Sequence, residues 1–220
     1  MTKKIISIAL FVVLVSGVFV LTGCCDKLKE NKTDYLVLVN KQHKLPDSWE
    51  KEVQLEEAKN AWNETIKVEK KALKNYWKLR DELAKENVII VLDSAYRSVK
   101  EQKELWADFE KKYGIDYVKK TVAVPGYSEH HTGLAIDIVI KKDGKLIEEN
   151  GDMIKERAIF AKVHKKLAKH GFILRYLEGK DDITGYSYEP WHLRYVGKKD
   201  AKKIMDKKIT LEEYLNKVDK

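Results

Sequence analysis

The chain has 220 residues, with 43 Lys and Arg against 35 Asp and Glu, a net charge of +8 and 44% hydrophobic residues. That material suits one folded domain of ordinary size and excludes a disordered tail, and no second catalytic domain is expected within it. The excess of lysine would suit nucleic acid, but the lysines alternate with glutamates along helical stretches and form no aromatic-interleaved basic patch, so nucleic-acid binding is not expected.

Lys3 and Lys4 precede an apolar run from Ile5 to Leu21 that ends in Leu21-Thr22-Gly23-Cys24. This order reads as an export signal over residues 1–23 with a small-residue processing site. It resembles the bacterial lipoprotein signal, and that resemblance implies lipidation of Cys24 and attachment to the outer face of the cell membrane. An uncleaved membrane helix is the alternative, because the run approaches the roughly 20 residues that span a bilayer; both readings place the domain outside the cytoplasm. Cys24 and Cys25 are the only cysteines, so the body of the chain has no thiol nucleophile and no disulfide framework. Residues 24–33 read as a lysine-rich tether and 34–220 as the folded domain.

Within the domain, Tyr35-Leu36-Val37-Leu38-Val39 has strand character. Leu55, Ala58, Trp62, Ile66, Leu73, Tyr76 and Leu83 follow three- and four-residue steps that predict one long amphipathic helix between 50 and 86. Val88 to Leu92 is continuously apolar, the pattern of a strand buried on both faces. A helix over 100–113 closed by Gly114, a strand over 134–140, a helix over 155–170 stopped by Gly171, and strands over 172–176 and 191–196 follow in order. Thr210 with Glu213 predicts a capping box for a last helix. The sum is a single α+β domain, with helices packed on a small, mostly antiparallel sheet that carries a zinc site.

The zinc expectation begins with Asp137, a carboxylate in the middle of an apolar strand, which needs a cation or strong donors beside it. His130 lies seven residues earlier in Gly126-Tyr127-Ser128-Glu129-His130-His131-Thr132-Gly133, and imidazole with carboxylate is a usual zinc pair, with a structural ion pair as the alternative that the spacing alone leaves open. Glu189-Pro190-Trp191-His192 adds a third donor, His192, and a carboxylate, Glu189, able to accept a proton from water. On a regular strand those two side chains would face opposite sides; Pro190 predicts a bend that brings Glu189 back over the metal. His43, His164 and His170 lack motif partners and read as surface or packing histidines.

Three motifs in order, Ser94-Ala95-Tyr96-Arg97-Ser98 with Gln102, then Ser128-x-His130-x-x-Gly133-x-Ala135-x-Asp137, then Glu189-x-Trp191-His192, resemble the VanY family of zinc D-alanyl-D-alanine carboxypeptidases, related to VanX dipeptidases and L,D-carboxypeptidases. The resemblance spans about half the chain. It implies His130, Asp137 and His192 as ligands to Zn2+, Glu189 as general base, Arg97 as the group that polarises the scissile carbonyl or steadies the oxyanion, and Ser128 and Gln102 as lining of the substrate pocket. The position after the metal histidine, often glutamine in the family, is His131 here, so two neighbouring imidazoles compete for the ligand role.

The implied activity is removal of terminal D-alanine from peptidoglycan stem peptides by a membrane-tethered monomer. An L,D-carboxypeptidase acting on tetrapeptide stems uses the same metal motifs and stands as the alternative, because the difference lies in pocket contacts. A wall-binding lipoprotein that has lost catalysis is a third reading, against which the intact set of five catalytic and metal residues argues.

Overall fold

The computed structural model describes residues 33–218; the expected export signal, Cys24 and nearly all of the tether lie outside the described residues. In chain order the elements are α1 (Trp49–Glu52), β1 (Leu55–Lys59), β2 (Thr65–Glu69), α2 (Lys70–Ala84), β3 (Ile89–Leu92), α3 (Val99–Tyr113) and α4 (Ile115–Thr121). A 3-10 turn (Glu129–Thr132) precedes β4 (Ala135–Lys142), β5 (Lys145–Ile147), α5 (Asn150–Met153) and α6 (Arg157–Leu167). The chain closes with β6 (Phe172–Leu174), α7 (Asp181–Thr184), β7 (His192–Tyr195), α8 (Lys198–Lys207) and α9 (Leu211–Val218).

The main sheet has five strands in the order β3-β4-β7-β6, with β5 also paired to β4, and every pairing is antiparallel. Strand β4 is its pivot: residues 138–141 pair with β3 while residues 135–137 pair with β7. One face of the sheet packs on α2 and α6, where Leu73, Tyr76, Leu79 and Leu83 meet Phe160, Val163, Leu167, Ile136, Ile138 and Leu193. The alternation of side chains along β6 sends Phe172 and Leu174 to that core and Ile173 to a second cluster with Ala201, Ile204 and Leu211 of α8 and α9. The described residues thus form the single α+β domain expected from the sequence.

Local chemistry fixes the helix starts. Glu69 caps α2 by accepting from the N–H groups of Lys71 and Ala72 at 2.9 and 2.8 Å. Ser98 and Glu101 form a reciprocal capping box on α3, and Thr210 and Glu213 form the expected one on α9. Gly114, at φ 83°, ends α3 where the sequence places the stop.

Three expectations are corrected. The long helix between 50 and 86 is instead a two-stranded hairpin, β1 and β2, followed by α2 alone. Its turn is built by Asn60, whose side-chain oxygen accepts from the N–H groups of Trp62 and Glu64, with Asn63 at φ 64°. Tyr35 to Val39 joins no sheet; the carbonyls of Tyr35 and Val37 are taken by the Arg194 guanidinium, at 3.2 and 2.7 Å. Strand β3 is buried on one face only: Ile90 and Leu92 enter the core, while on the other face Ile89 is exposed and Val91 half-buried.

Candidate metal centre

The β4–β7 register sets Asp137 directly opposite His192. Their side chains therefore leave the sheet on one face, while Ile136 and Leu193 enter the core on the other. His130 comes from the 3-10 turn, whose first residue is capped by Ser128; the Ser128 hydroxyl accepts the His130 N–H at 3.3 Å. Gly133 closes that turn at φ 70°, and a Cβ there would come within 2.8 Å of the Leu55 side chain, so both conformation and space call for glycine.

The loop after β3 is stitched to the same place. Asp93 N–H donates to the Asp137 carbonyl at 2.9 Å, Asp137 N–H to the Ser94 carbonyl at 2.8 Å, and Arg97 N–H to the His130 carbonyl at 3.2 Å.

His130, Asp137 and His192 offer ligand atoms that all lie within 4.8 Å of one another. Asp137 Oδ2 is 3.2 Å from His130 Nε2 and Oδ1 is 3.0 Å from His192 Nδ1. Neither contact is aligned as a hydrogen bond, and Oδ1 is buried without a partner, while Oδ2 accepts from Ser94 Oγ at 2.9 Å. Donor atoms that crowd together without bonding converge on a common point.

The tautomers agree with that convergence. His130 Nδ1 faces the Ala95 carbonyl at 2.6 Å and must donate to it, leaving the Nε2 lone pair free. His192 Nε2 faces the Glu129 carboxylate at 3.3 Å and donates there, pointing Nδ1 at Asp137. Histidines that hold zinc usually donate their other ring nitrogen to a carbonyl or a carboxylate in this manner. Burial works against a charge on His192, yet Asp137 and Glu129 outweigh it and push its pKa up to about 10. That field holds a proton on the ring at neutral pH, in the place a metal cation would take, and two imidazoles with one carboxylate suit zinc.

Glu129 is itself 3% exposed. Its Oε1 accepts from Arg175 Nε at 2.7 Å and Arg194 Nη1 at 2.6 Å. Burial opposes its ionisation, but the two guanidiniums hold the carboxyl well below the usual range. Arg175 continues to Glu212 of α9 at 2.7 and 2.9 Å, and Glu212 accepts from Asn40 at 3.0 Å. A buried network of this kind is stable only when every member is satisfied, as here.

Glu189 precedes β7 in a turn closed by the His192 N–H on the Glu189 carbonyl, 3.3 Å. The turn is the bend expected at Pro190, and it brings Glu189 Oε2 to 3.8 Å from His192 Nδ1. Burial, with Asp137 and Glu129 nearby and His192 pulling the other way, raises its pKa to about 7. A cavity of about 430 Å³ opens over the cluster, lined by Arg97, Gln102 and Ser128 together with Tyr176, Tyr186 and Trp191. Arg97 Nη1 donates to Gln102 Oε1 at 3.0 Å, and Gln102 Nε2 donates to the Ala123 carbonyl at 2.8 Å.

His130, Asp137, His192, Glu189, Arg97, Ser128 and Gln102 all line this cavity. His131 does not: its Nδ1 donates to the Arg97 carbonyl at 2.6 Å and its Nε2 accepts the Gly126 N–H at 3.0 Å, so both nitrogens are spent on backbone. His43, His164 and His170 pair with Asn40, the Pro190 carbonyl and Glu82. The sequence reading missed Glu129, Arg175, Arg194 and the ring of Tyr176, which stands 4.8 Å from His192. Arg175 carried a signal: like Asp137, it is a charge inside an apolar run.

A family model described as VanY, D-alanyl-D-alanine carboxypeptidase, matches residues 65–198. YodJ of Bacillus subtilis (strain 168) is 38% identical over 201 residues, covering 87% of this chain and 70% of its own. The bifunctional D-Ala-D-Ala dipeptidase and carboxypeptidase VanXYC of Enterococcus gallinarum is 46% identical over 129 residues, 57% of this chain and 65% of its own. Among solved structures, the LdcB LD-carboxypeptidase superposes with a TM-score of 0.73 at 39% identity, covering 83% of this chain and 86% of that one. A mutant of the vancomycin-resistance D,D-pentapeptidase VanY in complex with Zn(II) gives 0.68 at 32% identity, covering 82% and 98%.

Proposed function

We propose, from the premise that this chain belongs to the VanY family of D-alanyl-D-alanine carboxypeptidases, that it is a zinc-dependent peptidase removing terminal D-alanine from peptidoglycan stem peptides, held outside the cell membrane through Cys24. The observation that carries this reading is the convergence of His130 Nε2, Asp137 and His192 Nδ1 at the floor of a cavity that Glu189 and Arg97 also enter. What zinc supplies there when bound is Lewis acidity, which lowers the pKa of water toward 7 and polarises a carbonyl.

Glu189 is the proton acceptor in this reading. Its carboxyl is raised to about 7, so it can take a proton from the attacking water and return it to the departing amine at neutral pH. Arg97 presents a guanidinium to the developing oxyanion, and Gln102 fixes its direction from behind. Ser128 caps the turn that sets His130 and lines the cavity wall. His192 is held in one tautomer by Glu129, and His130 by the Ala95 carbonyl.

The likeness to LdcB favours a second reading, cleavage of tetrapeptide stems by an L,D-carboxypeptidase. The two differ in the penultimate residue, which the cavity wall and not the metal ligands must read. Incubating the protein with pentapeptide and tetrapeptide stems, with and without a chelator, and following released D-alanine by mass spectrometry decides between them. Chelator-sensitive release from the pentapeptide supports the D,D activity. Release only from the tetrapeptide moves the assignment to the L,D class, and release from neither refutes both.

A further inference from the structure

Single apolar side chains on a surface are ordinary; a contiguous set is informative. Tyr113 and Tyr117 are 46% and 45% exposed, and Ile115 between them in the chain is exposed as well. The rings form a row: Phe109 and Tyr113, four residues apart on α3, have centroids 5.4 Å apart, and Tyr113 and Tyr117 are 4.8 Å apart across the Gly114 turn into α4. Buried Val118 anchors α4 beneath the row.

The row is continuous with the catalytic cavity. Phe109 lines that cavity, and so do Thr121, Val122 and Ala123 at the end of α4. The α3–α4 hairpin is therefore a cavity wall whose inner end is Phe109 and whose outer end carries exposed tyrosines. A space of about 430 Å³ takes the terminal residues of a stem; the rest of the stem, and the sugar from which it hangs, lie beyond the mouth.

We propose that Phe109, Tyr113 and Tyr117 form a stacking surface for an N-acetylated sugar of the glycan strand that bears the stem. The inference rests on the peptidoglycan reading above. A pyranose presents a flat face of C–H groups with hydroxyls at its rim, which matches a tyrosine ring that is apolar on its face and polar at its tip. The surroundings disfavour a lipid surface. The row is flanked on α3 by exposed Asp108, Glu110, Lys111 and Lys112 of both signs, the Lys112 ammonium lying over the Tyr113 ring at 4.9 Å from its centre, whereas a membrane-seated helix shows a broad apolar face bordered by cations.

The test compares the full chain with its Tyr113→Ala/Tyr117→Ala variant, using glycan strands stripped of their stems, glycan-linked stems, free pentapeptide and anionic phospholipid vesicles. Both substitutions are on exposed side chains, and equal thermal midpoints establish that the fold is intact; a Tyr113→Phe/Tyr117→Phe variant keeps the rings and retains binding. The expected result is co-sedimentation of the wild type with stem-free strands, weakened roughly tenfold in the alanine variant. KM for glycan-linked stems rises in the same proportion while kcat/KM for free pentapeptide does not change. Equal binding of the two proteins to stem-free strands, no binding by either, or a difference confined to vesicles overturns the proposal. If the wild type cleaves no stem at all, the carboxypeptidase reading falls, and the stem-free strands still decide the fate of the stacking surface.

Discussion

Glu129 accepts a hydrogen bond from the His192 Nε2–H at 3.3 Å and thereby turns Nδ1, the atom 3.0 Å from Asp137, toward the point where the ligand atoms converge. In Glu129→Gln the amide oxygen stays with the two guanidiniums that now share Oε1, so the NH2 faces His192. Nε2 must then accept, the proton moves to Nδ1, and a zinc donor is lost. Zinc affinity is expected to fall about 10- to 100-fold. Glu212→Gln is the control: it breaks the far end of the same network, at Arg175, and is expected to lower stability by about 3 kcal/mol without changing zinc affinity. Competition titration with a chromogenic chelator measures both; equal loss in the two variants would mean that the network acts on the fold alone.

Removing the proton acceptor separates chemistry from metal binding. Glu189→Gln keeps the size of the side chain and its place at 3.8 Å from His192 but cannot accept a proton. Turnover is expected to drop about 10²- to 10⁴-fold with zinc content unchanged by atomic absorption. A variant that kept full turnover would put the base elsewhere in the cavity.

Gln102 is 1% exposed and spends both ends of its amide on Arg97 and the Ala123 carbonyl. Its place at the cavity, implied by the family resemblance, is thus achieved from behind Arg97. Gln102→Leu frees the guanidinium and takes the donor from the half-buried Ala123 carbonyl, a cost of about 0.5–1.5 kcal/mol. Steady-state kinetics on the preferred stem should show kcat/KM reduced about tenfold, with zinc affinity unchanged. A fall in zinc affinity would show that Gln102 supports the metal cluster and not the cavity wall.

How far such a site can be read from sequence depends on which signals are local. Asp137 was legible because a carboxylate in an apolar strand is costly wherever the strand lies. The same reasoning applies to Arg175 in the run from Phe172 to Tyr176, and Arg194, two residues after His192, had to share its face of the strand. Glu129 gave no such sign, since only the tertiary approach of two guanidiniums makes a buried turn tolerable for it. The hairpin was missed because Leu55, Ala58, Trp62 and Ile66 fall at helical steps by coincidence, while the period-two alternation within Thr65–Glu69 and the Asn60 turn carried the true signal. Tyr35 to Val39 looks like a strand, but its backbone partner is a side chain, Arg194, which no pattern within the run could reveal.

Glu82 offers a test of the fold remote from the metal centre. Its carboxylate, on α2, accepts from Lys169 and His170 at 2.8 Å and lies 3.3 Å from Lys166. These bonds, led by Lys169, lower its pKa from 4.5 to about 2. A depressed carboxyl pKa stabilises the fold above the unfolded value and ceases to do so as pH falls through the folded one. Wild-type stability should therefore carry a component from Glu82 that is complete near pH 6 and disappears between roughly pH 5 and 2. Glu82→Gln lacks it, so the variant should melt below the wild type at pH 7, and the gap should close progressively on acidification. Added salt should shrink the neutral-pH gap, because Lys169 is largely exposed. Thermal unfolding of both proteins from pH 7 to 2.5 measures the difference directly; a gap that stayed constant across that range would show that the contacts with Lys166, Lys169 and His170 do not depend on the ionised carboxylate, and that Glu82 contributes through packing alone.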